Sequence, residues 1–176
     1  MKQTRYIMKP QDIVILLKVL AIENESWQQI PLAQSLKMSQ SEISQSLNRS
    51  KYAGLLDGSG RKVMRLALMD FLQYGIAYVF PQKPGPVTRG VATAHSAPPL
   101  CYEIESNQIY VWPSATGKVR GQSILPLYPS VVDAAMNDEI LYELLALVDA
   151  VRVGKAREKN LAVNELKKRI VNRIFH

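Results

Sequence analysis

The chain has 176 residues, 47% of them hydrophobic, which is enough to bury a sizeable core without staples. A single cysteine, Cys101, excludes an intramolecular disulfide framework and any multi-cysteine metal site, fits a reducing cytoplasm, and reads as a small buried hydrophobe. The net charge of +7 comes from 22 basic and 15 acidic residues, and residues 1–75 carry ten basic against six acidic ones, so attraction to a polyanion is modest but favoured. The N-terminus lacks the layout of a secretory signal and no apolar run approaches membrane-spanning length, so the expectation is a soluble, cytoplasmic protein without a membrane partner.

In chain order, Pro10-Gln11-Asp12 suits a helix start, since proline is tolerated in the first turn and aspartate complements the positive end of the helix dipole. Ile13, Leu16, Leu17, Leu20 and Ala21 follow at helical spacing and predict a helix that floors the next elements, ending at Asn24 to Ser26. Trp27 is expected to anchor the turn in the core. Residues 32–47 read as two short helices separated by a tight turn. Leu32, Ala33 and Leu36 form the apolar face of the first, Ala33 being small enough for a close crossing, and this helix stops at Lys37-Met38. Ser39 and Glu42 form an S-x-x-E capping box that opens the second: the hydroxyl accepts the Glu42 amide proton and the carboxylate returns to the Ser39 amide.

At about 100° per residue, Ile43, Leu47, Ser50 and Gly54 fall on the packing side of this second helix, while Ser41, Gln45, Asn48, Arg49 and Tyr52 turn outward. The outward set suits base edges and phosphates, because Gln and Asn pair bidentately with adenine and Arg with guanine, and no acid lies at its centre. Candidate base contacts are therefore Gln40, Ser41, Ser44, Gln45, Asn48 and Arg49, with Lys37, Lys51 and Tyr52 placed to meet the DNA backbone. Leu32-Ala33, Ser39, Ile43-Ser44, Leu47 and Ala53-Gly54-Leu55-Leu56 together resemble the pattern of winged-helix regulators of the MarR type, over roughly residues 10–75. The resemblance implies a helix-turn-helix that binds DNA. Position 37 departs from it, being Lys where many such motifs place Gly, and a left-handed backbone accommodates this at some cost. Ser50 departs as well, standing where an apolar residue is usual. The alternative is a helical pair serving as scaffold or protein-binding surface. DNA contact is preferred because cap, apolar face and polar face agree independently.

Asp57-Gly58-Ser59-Gly60 signals a turn, followed by Arg61, Lys62 and Arg65. The resembled family has a β-hairpin wing here. Met64, Ala67, Leu68, Phe71 and Leu72 instead recur at helical spacing and are closed by Gly75, predicting a fourth helix with the three basic residues at its start, either within reach of phosphate or on a solvated face. Residues 76–133 hold eight of the ten prolines and read as β and loop. Tyr78-Val79-Phe80-Pro81 leading to Thr88-Arg89-Gly90 echoes Tyr110-Val111-Trp112-Pro113 leading to Val119-Arg120-Gly121. The first copy reads as a displaced wing, with a tip at Gln82 to Arg89 bringing Lys83 and Arg89 to the DNA backbone, or else as plain sheet strands with exposed loops. Ser106-Asn107 suits a hairpin turn between Leu100–Glu105 and Gln108–Trp112, and His95 reads as structural.

Ile140 to Val151 is apolar on most sides and must be buried. After Gly154, a last helix carries the stripe Val163, Leu166, Ile170 and Ile174 opposite Lys155, Arg157, Lys159, Lys167, Lys168, Arg169 and Arg173, which serves either dimerisation or packing within the chain. No phosphate-cradling glycine loop, H-E-x-x-H, G-x-S-x-G or Cys-x-x-Cys occurs, and Asp133, Asp138, Glu139 and Asp149 read as surface charge rather than a metal site. No enzyme activity, metal or cofactor is expected.

The sequence thus predicts an α+β fold: a winged helix-turn-helix over residues 1–75, a proline-rich β and loop region over 76–133 and a C-terminal helical region over 134–176. The expected function is a sequence-specific regulator of transcription that binds double-stranded DNA as a homodimer. The alternative is an antitoxin-like or accessory protein whose C-terminal half binds a toxin-like partner. An RNA-binding module is disfavoured by the lack of exposed aromatic signatures.

Overall fold

An almost uniformly apolar first helix becomes the centre of the molecule. In the computed structural model, which describes residues 5–175, α1 (Pro10–Ile22) buries every side chain from Ile13 to Leu17. The Asp12 carboxylate accepts the Lys9 amide at 2.8 Å and so caps the helix start. Both sides of α1 are covered, by α2 (Gln29–Leu36) and α3 (Gln40–Tyr52) and by α7 (Glu139–Val153). The segments 1–75, 76–133 and 134–176 contribute to one buried hydrophobic cluster.

The turn between α2 and α3 follows the residues that specify it. Lys37 adopts the left-handed backbone, φ 53° and ψ 42°, and the Met38 amide closes back on the Ala33 carbonyl at 3.0 Å. Ser39 then caps α3, its hydroxyl accepting the Glu42 amide at 3.1 Å. The reciprocal half of the expected capping box is absent. The Glu42 carboxylate instead accepts from Gln11 Nε2 of α1 and from the Tyr128 hydroxyl, each at 3.0 Å, because two half-buried donors from other elements reach it.

After α3 the chain makes both a minimal hairpin and a helix, where only the helix was expected. Leu56 bridges Val63, the Asp57 amide donates to Lys62 O at 2.8 Å and the Met64 amide to Leu55 O at 2.9 Å. The tip turns at Gly60, whose φ of 74° suits glycine. Helix α4 (Arg65–Tyr74) therefore starts later than Arg61. Gly75 keeps a right-handed helical backbone, so a further turn, α5 (Ile76–Val79), follows, and Tyr78-Val79 is helical rather than a strand. Buried Ile76 and the edge-on contact of Phe71 with Phe80 hold it there.

The sheet has three strands: β1 (Val87–Ala92), β2 (Tyr110–Pro113) and β3 (Val119–Ser123). β1 runs antiparallel to both others, with Gly90 opposite Pro113 and Val119, and β2 meets β3 in parallel, so the three strands close on one another. Closure is this tight only because Gly90 has no side chain, since a Cβ there would lie 1.9 Å from Trp112 O. Ser106-Asn107 does not form the expected hairpin. Pro98 and Pro99 have no amide donors to offer a ladder, and Leu100–Tyr102 forms a 3-10 turn instead.

α6 (Val131–Met136), α7 and α8 (Ala156–Ile170) complete the fold, which is α+β with eight helices among the described residues. α8 packs its Leu166 and Ile170 stripe on α7 and α4 of the same chain, while Ile174 lies beyond the helix end and is exposed. Arg169, expected on the solvated basic face, is buried between Glu143 and Glu165. Asp149 is likewise buried rather than a surface charge: Thr93 Oγ1 and Trp112 Nε1 donate to Oδ2 at 2.7 and 2.6 Å, and Arg152 to Oδ1 at 2.9 Å. Burial pushes the Asp149 carboxyl up, opposed by Arg152 and these donors. His95 is buried, 2.6 Å from Gln108 O, and Cys101 is half-buried. Among the described residues no helix is long and apolar enough to cross a membrane.

Candidate nucleic-acid interface

A buried charge pair joins α3 to α1. Asp12 is 0% and Arg49 9% exposed; Arg49 Nε donates to Oδ2 at 2.9 Å and Nη2 to Oδ1 at 2.7 Å, while Ser46 Oγ donates to Oδ1 at 2.6 Å. The hydrogen bond to Asp12 raises the Arg49 pKa against the effect of burial. This corrects the expectation that Arg49 contacts bases. It stands about 40° from Gln45 on the helix wheel, at the margin of the polar arc, and its long side chain turns inward to the only acid in the α1 core.

The rest of the predicted face is exposed: Gln40, Ser41, Ser44, Gln45, Asn48, Lys51 and Tyr52, with no carboxylate among them. Ile43, Ser46, Leu47 and Ser50 are buried on the opposite side. Gln45 Nε2 donates to Ser41 Oγ at 3.2 Å, one turn earlier, and Tyr52 stacks on Tyr6 with ring centroids 4.7 Å apart, which lays the N-terminal segment against the end of α3.

The hairpin flanks this face. Between them lies a cleft of about 210 Å³ lined by Ser44, Asn48 and Lys51 of α3, Gln29 of α2, and Ser59 to Arg61 of the hairpin. Asp57 braces the tip by accepting the Arg61 and Lys62 amides at 2.9 Å each and the Ser59 hydroxyl, and these bonds hold its carboxyl down at about 2. The Arg61 guanidinium lies 5.0 Å from the Trp27 ring centre and donates to Trp27 O, while Trp27 Nε1 donates to Arg61 O at 3.0 Å. Trp27 thereby ties the hairpin to the start of α2. The sequence signals the turn at Asp57 to Gly60 but not this flank, because Arg61 and Lys62 read as the start of the next helix, whereas they form the return arm of a hairpin.

The remaining candidates divide. Lys62 and Lys37 are exposed beside this region and make loose surface pairs with Glu25 at 3.5 Å and Asp133 at 3.0 Å. Arg65 is half-buried and donates to Ile170 O at 2.9 Å; burial and nearby Arg173 push its pKa down, so it serves the contact with the C-terminal segment. Lys83 and Arg89 are exposed but do not form a displaced wing tip. Residues 78–80 form no strand that could complete such a hairpin, and Arg89 lies within β1.

Comparison of the chain with family models, with curated proteins and with solved structures found no match.

Proposed function

We propose that this chain is a sequence-selective, double-stranded DNA-binding regulator of transcription, cytoplasmic and homodimeric, with α3 in the major groove and the Leu55–Met64 hairpin as a reduced wing. The observation that carries this reading is the exposed arc Gln40, Ser41, Ser44, Gln45, Asn48 and Lys51. It is an amide- and hydroxyl-rich surface without a carboxylate, on a helix held in place by the buried Asp12–Arg49 pair. Gln45 and Asn48 read base edges; Lys51, Tyr52, Lys37 and Lys62 hold phosphates. The MarR-type resemblance of residues 10–75 supports the same reading, and a reduced wing suits a chain that proceeds directly into α4.

Selection of bound duplex fragments from a genomic library at two salt concentrations tests it. A sequence enriched at both, and lost with Gln45→Ala or Asn48→Ala, is expected; tighter binding of structured RNA than of duplex in a parallel gel-shift titration, or selection unchanged by both substitutions, refutes it. A second reading, an antitoxin-like or accessory protein that binds a protein partner, is favoured by Leu66, Tyr74 and Tyr78, which are 68%, 68% and 84% exposed along α4 and α5, a surface outside the C-terminal half where the sequence places that partner. Co-purification of a partner lost with Tyr78→Ser, together with no selection of DNA, would replace the first reading by the second.

A further inference from the structure

The three-stranded sheet carries an arrangement that its own stability does not ask for. Arg89 of β1 and Arg120 of β3 are direct cross-strand partners. Directly opposed residues of antiparallel strands project from the same face, with Cα atoms about 4.5–5.5 Å apart. Both arginines are exposed, and like charges so placed repel. Neither guanidinium has a carboxylate within 4.0 Å or a hydrogen-bond acceptor among the described residues. The strands that carry the two arginines, and the chain next to them, hold no acid. No acidic residue occurs between Asp70 and Glu103, or between Glu105 and Asp133, while Lys83 and Lys118 are exposed in the segments leading into β1 and β3. The same face carries Val87 and Gln122, themselves register partners.

The arginines stand on a rigid base. Gly90, next to Arg89, is pressed against the Trp112 carbonyl, and the Trp112 indole is fixed from below by buried Asp149. The Gly85 amide donates to Ser123 O at 2.9 Å and ties the Lys83 loop to the end of β3. Two exposed arginines at paired positions of adjacent strands, with no ion pair to a carboxylate among the described residues, match a phosphodiester, whose oxygens accept several N–H groups at once.

We propose that the β1–β3 face, centred on Arg89 and Arg120, is a nucleic-acid backbone site separate from the exposed face of α3. It contributes affinity without sequence preference and does not depend on the role given to α3. Binding of the full chain to a labelled duplex of random sequence, followed by fluorescence anisotropy across a salt series, tests it. Each lost phosphate contact removes about 0.9 from the slope of log K against log salt. R89Q/R120Q should therefore make the fall in affinity between about 50 and 200 mM salt roughly tenfold smaller and weaken every duplex alike. R120E gives Arg89 an opposite charge across the strands, keeps the sheet folded by circular dichroism, and should weaken binding equally or more. Q45A/N48A should change discrimination between duplexes and leave the slope alone. If Q45A/N48A has no effect while R89Q/R120Q flattens the slope, the reading of α3 falls and the sheet site stands. A slope unchanged in folded R89Q/R120Q, or no binding of random duplex by the wild-type chain at low salt, overturns the sheet site. So does retention on polyglutamate that R89Q/R120Q abolishes while duplex binding persists, which would assign the face to an acidic protein.

Discussion

Replacing Arg49 with alanine separates two accounts of this side chain, a base contact or the clamp that orients α3. In the structure Asp12 loses three N–H contacts, from Nε at 2.9 and 3.2 Å and from Nη2 at 2.7 Å, and keeps only the Ser46 hydroxyl and the Lys9 amide. Removing one partner of a buried charge pair costs about 3–5 kcal/mol, because the other charge is left stranded. At roughly 2–4 °C per kcal/mol for a chain of this size, Tm should fall by about 6–20 °C. The raised Arg49 pKa means that the pair's contribution is full below the unfolded value and is lost only as pH climbs through the folded one, so the decrement should be constant between about pH 6 and 9. A double variant, Asp12→Ala with Arg49→Met, leaves no unpaired charge and should recover a large part of the loss. Thermal unfolding by circular dichroism measures all three proteins. A change within the ~0.5 kcal/mol typical of surface positions, accompanied by lost base preference, would place Arg49 in the groove and refute the clamp.

Gln45→Ala and Asn48→Ala should each relax preference at one base pair by about 1–3 kcal/mol with Tm nearly unchanged; a loss spread evenly over all sequences would argue against base reading. Asp57 is held at about 2, so its contribution to the hairpin is present above the ordinary carboxylate value and lost as pH falls through about 2. Its side-chain carbon resonance should titrate there, and a midpoint in the usual carboxylate range would mean that the Arg61 and Lys62 amides do not cap it. Trp112→Phe leaves Asp149 Oδ2 with Thr93 alone and should cost about 1–3 kcal/mol. A chain with unaltered Tm would show that the indole donor is dispensable.

How far the sequence could be read depended on how far apart the partners lie in the chain. Helices α1 to α4, α7 and α8 were legible because their apolar positions recur at three- and four-residue spacing, and the exposed arc of α3 followed once Ser39 set its first turn. Tyr78-Val79-Phe80 has the composition of a strand, yet Gly75 keeps a helical backbone and Ile76 finds a buried place, so packing overrode local preference. Glycines 90 and 121 were visible in the sequence, but not the carbonyls of Trp112 and Ile109 that crowd them.

Buried charges were misplaced for the same reason. Arg49 is 37 residues from Asp12, and Asp149 is 37 from Trp112 and 56 from Thr93, separations that no periodicity encodes. Signals did exist. Asp12 leads directly into five fully buried apolar residues, and Asp149 stands inside the apolar run Leu144 to Val151; an acid so flanked is buried unless the helix bends away, and a buried acid requires donors. Seeking those donors among the basic residues narrows the set free to meet an external anion. Arg49, Arg152 and Arg169 are consumed by the fold, and Arg65 is turned to a backbone carbonyl. Lys51 and Lys62 beside α3 and Arg89 and Arg120 on the sheet face are among the cations left exposed without a buried partner, and it is on such charges that a polyanion acts.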